Sequence, residues 1–194
     1  MHYRLATHTD TESVAQLHAE SWRNSYRGML SDDYLQTQVV ADRRATWQQR
    51  LQCATFGQYV LLAEDGGRLC GFICLFANAD PRLGTLLDNL HVAAAHQGQG
   101  IGRMLMYRAA YWVQTTLASP SMHLWVFASN APAIRFYERL GGRVDGEKME
   151  DSFGTTPVRA LRYVWDDVAP LVKLLGKSNR RDAESTEVLR RGYL

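Results

Sequence analysis

The sequence predicts an α/β domain, a central sheet flanked by helices, and three observations carry that prediction. Strand-like and helix-like segments alternate along most of the chain, the pattern of layered α/β architectures. Asp65-Gly66-Gly67 separates two apolar runs as a hairpin turn does. The apolar run ending Leu90-His91-Val92 then passes through Gly98, Gly100 and Gly102 straight into an amphipathic helical pattern. With 194 residues, 46% hydrophobic and 22% charged, the chain has the size and composition of one globular domain.

Taken in order, Tyr3 to Ala6 reads as a first strand, and Asp10 is placed to cap a helix through about Trp22. Ser21 to Gly28 reads as a polar-aromatic connection. Ser31-Asp32-Asp33 caps a short helix around Tyr34-Leu35, and Arg43 to Leu51 reads as a separate one. The hairpin strands are Gln58 to Glu64 and Leu69 to Ala77; the second carries Cys70 and Cys74, which strand alternation sets on one face as small buried hydrophobes. Thr85 to Val92 feeds the glycine turn, and Ile101, Met104, Leu105, Arg108 and Trp112 mark one face of the helix after it. Met122 to Phe127 is a strand, Asn130 to Leu140 a helix closed by Gly141-Gly142, and Arg143 to Glu150 with Val158 to Trp165 a closing hairpin. The expected domain spans 1–168. In the extension 169–194, Val168 to Leu175 has helical spacing, and Lys177 to Leu194 is polar, of mixed charge, and read as mobile or partner-docking.

Composition removes several function classes. A net charge of +2 gives no electrostatic case for nucleic acid or an anionic membrane. No apolar run reaches the length of a membrane span, and Met1-His2-Tyr3-Arg4 lacks the apolar core of a signal peptide. Cys53, Cys70 and Cys74 are odd in number and lack metal-ligand spacing. A reducing cytoplasm and no bound metal are therefore expected.

The glycine turn carries the functional signal. Its backbone N–H groups lack partners at the positive end of a helix dipole, and glycine lets a ligand approach the main chain closely. Those are the conditions for holding a phosphate or pyrophosphate. A P-loop ends in Gly-Lys-Ser/Thr, but Gly102 is followed by Arg103-Met104. A dinucleotide fingerprint reads G-x-G-x-x-G with an acid roughly 20 residues on, whereas this turn reads G-x-G-x-G and has Pro120 near that distance.

What remains, Gln97-x-x-Gly100-x-Gly102 after Leu90-His91-Val92, resembles the acyl-CoA signature of the GNAT N-acetyltransferase superfamily. The stretch Asn130-Ala131-Pro132 through Phe136-Tyr137-Glu138-Arg139-Leu140-Gly141-Gly142 resembles the family's second CoA-contacting helix. Leu5 to Leu35 is similar to its variable substrate-side helices. The resemblance covers about residues 2 to 166. It implies a mixed, mostly antiparallel sheet flanked by helices and splayed between the strands ending near Val92 and Phe127. It also implies an acetyl-CoA-dependent N-acetyltransferase acting by direct attack through a tetrahedral intermediate.

Matching positions inherit expected roles. The amides of Gln97, Gly98, Gly100 and Gly102, with Ile101 and Arg103 beside them, would hold the CoA pyrophosphate. Leu90 and Val92 would pair with the pantetheine arm through their backbones. Asn130 would contact the same arm, and it also reads as a helix cap. Family members usually have proline soon after the Val92 position, where this chain has Ala93-Ala94. That departure bears on loop rigidity, because the amide donors remain.

Direct acetylation requires a neutral amine, a stabilised oxyanion and a proton for the leaving thiolate. An alkyl ammonium has a pKa of about 10.4, so a base or water chain must deprotonate it. The Val92 N–H is the implied oxyanion donor. Tyr137 occupies the family's thiolate-acid position, although its spacing with Ile134 and Leu140 equally suits packing. Family members often place a glutamate six residues before the Val92 position; here Leu86 stands there. Asp88 shares that face by alternation and is the candidate base, with His91 read on the opposite face. Trp22, Tyr26, Asp33 and Tyr34 lie where the family builds its acceptor pocket, and an aromatic wall with a carboxylate suits a cationic amine. The expected partner is a small-molecule or peptide amine. Homodimers are common in the family, but no residue here marks an interface. Two alternatives stay open: a non-catalytic acyl-CoA-binding module, and an acetyltransferase acting on a protein.

Overall fold

The computed structural model describes residues 1–53, 56–151 and 157–176. The described elements are β1 (His2–Leu5), α1 (Thr11–Ser25), α2 (Val39–Gln52), β2 (Gln58–Asp65), β3 (Arg68–Asp80), β4 (Gly84–Val92), α3 (Ile101–Thr116), β5 (Met122–Phe127), α4 (Ala131–Arg139), β6 (Arg143–Glu150), β7 (Val158–Trp165) and α5 (Ala169–Gly176). The strands form one sheet in the order β1-β2-β3-β4-β5-β7-β6. Every pairing is antiparallel except β4 with β5. The α/β architecture expected from the sequence is present, and the element boundaries differ in a few instructive places.

Asp10 does not cap α1 with its side chain. Its carboxylate accepts from Arg4 at 2.7 and 2.8 Å and from the Thr7 N–H at 2.7 Å, tying β1 to the turn before the helix. Beside the Arg4 guanidinium its pKa falls to about 2. The helix itself runs past Trp22 to Ser25, since Arg23, Asn24 and Ser25 contain no breaker. The two helices expected between Tyr34 and Leu51 are continuous. A π-turn over Tyr34–Gln38 feeds α2 directly, with Leu35 and Val39 buried on the same side. No glycine or proline interrupts that stretch.

Two β-bulges overturn expectations based on simple alternation. Leu69 pairs with Glu64 and Gly71 with Ala63, leaving Cys70 as the extra residue. Cys70 therefore turns into the core beneath α3 with Ile73 and Leu75, whereas Cys74 sits beneath α1 and α2 with Phe72. The two cysteines lie on opposite faces. On β4, Asn89 pairs with Cys74 and Leu87 with Leu75, leaving Asp88 unpaired. This second bulge rotates the rest of the strand. Leu87 and Leu90 both pack under α3, while Asp88, Asn89 and His91 share the α1–α2 face.

Core packs on both faces. Ile101, Leu105, Ala109 and Val113 of α3 cover one side together with Tyr137 of α4. Val168, Leu171 and Leu175 belong to that same core, so packing shows no break at the boundary expected after residue 168. On the other side Val14 and Leu17 of α1 meet Trp47 and Leu51 of α2 over Val60, Leu62 and Phe72. The expectations for Lys177 to Leu194 fall outside the described residues.

The feature that positions the site is a gap in the sheet. β4 and β5 pair only at Thr85↔Met122 and Leu86↔His123. At that end they are pinned: a Cβ on Gly84, where φ is +71°, would lie 2.5 Å from the Ser121 carbonyl oxygen. Beyond it the bulge at Asp88 bends β4 away, and the strands diverge towards Val92 and Phe127.

Candidate active site

The diverging strands open a cleft of about 870 Å³. At one end stands the start of α3. Gly98 and Gly100 have φ of +77° and +84°, a region glycine enters without strain. A side chain at either would meet nothing within 4 Å, so backbone conformation is what demands glycine there. The first intrahelical bond is Met104 N–H to the Gly100 carbonyl at 3.0 Å. The amides of Ile101, Gly102 and Arg103 are thus left without helical partners at the positive end of the dipole. Arg103 and Arg139 also line the cleft, and Arg139 is a cation the sequence reading did not single out.

Gly102 differs from its neighbours. A Cβ there would sit 3.6 Å from Phe136 and 3.7 Å from Val92, ordinary contact distances. The described residues leave room for an alanine side chain here. Gly102→Ala is expected to leave the melting temperature unchanged and to weaken acetyl-CoA binding at least about tenfold in a calorimetric titration.

The edge of β4 supplies the middle of the cleft. Ala93 N–H donates to the Cys70 carbonyl at 2.8 Å. Strand alternation therefore turns the N–H and C=O of Val92, and of Leu90 two residues earlier, away from β3 and towards the space β5 has vacated. The Gln97 amide reaches the Val92 carbonyl at 3.2 Å, clasping the turn to the strand. Opposite, α4 brings Tyr137 and Asn130. Asn130 caps α4, its Oδ1 accepting from Ala133 N–H at 3.3 Å, and it also lines the cleft. Tyr137 packs edge-on against Trp165, and its hydroxyl has no hydrogen bond among the described residues. Burial first, and the neighbouring Tyr26 second, push its pKa well above the ordinary phenol value. It stays protonated at neutral pH.

The far side is formed by α1, the segment after it, and β4–β5. Ser21, Asn24, Tyr26, Asn89, His91 and Trp125 line it. Asp88 lies here too, ion-paired with Arg50 at 2.7 Å and in contact with the Asn89 amide. His91 was expected on the opposite face from Asp88; the bulge brings both to this one. Its Nδ1 lies 2.7 Å from Ser21 Oγ, and burial, then the Arg43 charge, holds its pKa down to about 3.

Of the four acceptor residues anticipated, the structure brings only Tyr26 to the cleft. Trp22 is buried with Arg43 lying 4.3 Å over its ring. Tyr34 donates its hydroxyl to Asp42, and the exposed Asp33 accepts from Gln38 at 3.4 Å. No aromatic cage with a carboxylate forms from these residues. Among the described residues there is no group of three or more His, Cys, Asp or Glu side chains placed to hold a metal, and no helix long and apolar enough to cross a membrane.

Comparison with known proteins gives this geometry its family. The profile of the Acetyltransferase (GNAT) family matches residues 13–142, from α1 through the end of α4. The chain belongs to the GNAT acetyltransferase family. It is 30% identical over 146 residues to a probable N-acetyltransferase of Mycobacterium tuberculosis, covering 74% of this chain and 80% of that one. It is 27% identical to the uncharacterized N-acetyltransferase YuaI of Bacillus subtilis, covering 90% and 98%. Among solved structures, the fold matches the PaiA N-acetyltransferase of Thermoplasma acidophilum in complex with coenzyme A. The TM-score there is 0.62 at 21% identity, over 85% of this chain and 100% of that one.

Ser21, Asn24, His91, Trp125 and Arg139 escaped sequence reasoning, because α1's true length and the bulge at Asp88 decide which side chains turn inward.

Proposed function

We propose that this acetyltransferase moves an acetyl group from acetyl-CoA to a primary amine of a small molecule, by direct attack within the β4–β5 cleft. The observation that carries the reading is one continuous cleft, joining the amide cradle of α3 to the Tyr137 hydroxyl and to a polar chamber beyond. In it the amides of Gln97, Gly98, Gly100, Ile101, Gly102 and Arg103 hold the pyrophosphate. Leu90 and Val92 align the pantetheine, with Asn130 beside it. The Val92 N–H meets the developing oxyanion, where a fixed donor acts without reorganisation. Tyr137 protonates the leaving sulfur. Asp88, tied to Arg50, orients the acceptor side.

Relatives with named acceptors act on amines of different kinds. The chain is 25% identical to the L-amino acid N-acetyltransferase AaaT of Escherichia coli, over 74% of this chain and 83% of that one. It is 38% identical over 86 residues, 43% of this chain and 42% of that one, to a streptothricin acetyltransferase of Streptomyces lavendulae. A spermidine N-acetyltransferase of Vibrio cholerae shares the fold, with a TM-score of 0.64 at 19% identity over 90% of this chain and 99% of that one. Within this chain the aromatic faces near the chamber carry its own cations: Arg43 over Trp22, and Lys148 at 4.8 Å with Arg162 at 5.4 Å over Trp125. These cations are themselves ion-paired with Asp42, Glu150 and Asp145, and Asp88, the one carboxylate lining the cleft among the described residues, is paired with Arg50, so no free carboxylate awaits a polycation. A compact amine such as an amino acid suits the chamber better.

The test is mass-spectrometric. Incubation with acetyl-CoA and L-amino acids, streptothricin, spermidine or short peptides is expected to add one acetyl group to a compact amine. Acetylation of spermidine alone would contradict the acceptor class, and acetylation of none would contradict the reaction.

A further inference from the structure

We propose that His91, oriented by Ser21 and backed by His18, takes the proton from the acceptor amine during acetyl transfer. This rests on the acetyltransferase reading and supplies the base that reading lacks. Leu86 cannot ionise, and Asp88 is held by Arg50 at 2.7 Å.

Geometry recommends the imidazole. The bulge at Asp88 turns His91 to the acceptor side, where it lines the cleft. The ring is fixed from three directions. Ser21 Oγ lies 2.7 Å from Nδ1, His18 is tilted against it at 4.5 Å, and Phe72 stands at 5.3 Å. His18 is itself held by Trp47, whose indole N–H donates to Nδ1 at 2.9 Å. In the tautomer with the proton on Nδ1, His91 donates to Ser21 Oγ, and the Nε2 lone pair is left for the substrate. Nε2 has no hydrogen bond among the described residues.

The charges around the ring keep it ready. His18 faces it from α1 and Arg43 from α2. Burial and Arg43 disfavour the imidazolium, so the resting side chain is the free base a proton acceptor must be. An amine nitrogen newly bonded to the carbonyl carbon is more acidic than a free ammonium, which narrows the gap to the His91 imidazolium.

Each proton has a destination. The acceptor ammonium first loses one proton to cleft water; the neutral amine then attacks the thioester carbonyl carbon, the C–N bond forms, and the carbonyl π pair moves to oxygen at the Val92 N–H. The nitrogen proton passes to His91 Nε2. The C–S bond then breaks and sulfur takes the Tyr137 proton. Tyr137 recovers a proton from the His91 imidazolium through cleft water, leaving amide and free thiol.

The experiment follows thiol release from acetyl-CoA with L-amino acids, streptothricin and spermidine as amines. Wild-type release is scored first; none with any amine refutes the acetyltransferase reading and the base with it. Where wild type is active, His91→Ala is expected to lower kcat at least about 100-fold. Acetyl-CoA affinity should stay within about twofold, and added imidazole should restore the rate at least about tenfold. Restoration should follow the free-base fraction of imidazole as pH is varied. Ser21→Ala, which leaves His91 in place, is expected to lower kcat about threefold to tenfold with KM for acetyl-CoA unchanged. Turnover near wild type in either variant, or a loss in His91→Ala that imidazole does not restore, overturns the proposal.

Discussion

Tyr137→Phe is expected to lower turnover at least about tenfold while acetyl-CoA affinity stays within roughly twofold of wild type. The ring is a core element, only 8% exposed and packed on Trp165 and Phe136. Phenylalanine keeps that packing and removes a single oxygen. That oxygen bonds to nothing else among the described residues, so its loss leaves no orphaned partner and little effect on stability follows. What disappears is a phenol kept protonated by burial at the point where the two strands part. Steady-state kinetics with a melting curve on the same variant separates the two roles weighed for this residue. Unchanged kcat, with the melting temperature also unchanged, assigns Tyr137 to packing alone.

The second large effect falls on stability. Trp47 is fully buried, meets Phe72 edge-on at 5.2 Å, and donates its indole N–H to His18. Trp47→Ala removes a large core side chain and leaves a buried acceptor unmade, a loss of about 3–5 kcal/mol. For a chain of this length the melting temperature should fall by about 10 °C. Trp47→Phe retains much of the volume and should lose less. Chemical denaturation of the two variants checks this order, and equal losses would make the His18 hydrogen bond the dominant contribution instead of the cavity.

The glycine turn was legible in the sequence because local chemistry dictates it. Gly98 and Gly100 need positive φ wherever they occur, and a helix must open after them. The closing hairpin and α4 were legible for similar reasons, with Asn130 capping one end and Gly141, at φ +80°, closing the other. The acceptor side was not. Its membership depends on a single unpaired residue, Asp88, that shifts the parity of β4 and brings His91 round beside Ser21. Such a bulge leaves no mark in a pattern of alternating residues. Cys70 was misplaced for the same reason. Trp22 was placed near the acceptor because the family builds its acceptor pocket at the matching position. Its ring is instead spent on Arg43, a partner 21 residues away that only the packing of α1 on α2 brings close.

In the proposed reaction the cleft between β4 and β5 joins an acetyl donor to an amine. Thiol release from acetyl-CoA by the purified protein, measured with and without added amines, tests it most directly. Release that depends on a compact amine and saturates with it is the predicted result. No amine-dependent release, from protein that binds acetyl-CoA in a titration, would contradict the account and leave an acyl-CoA-binding module in its place.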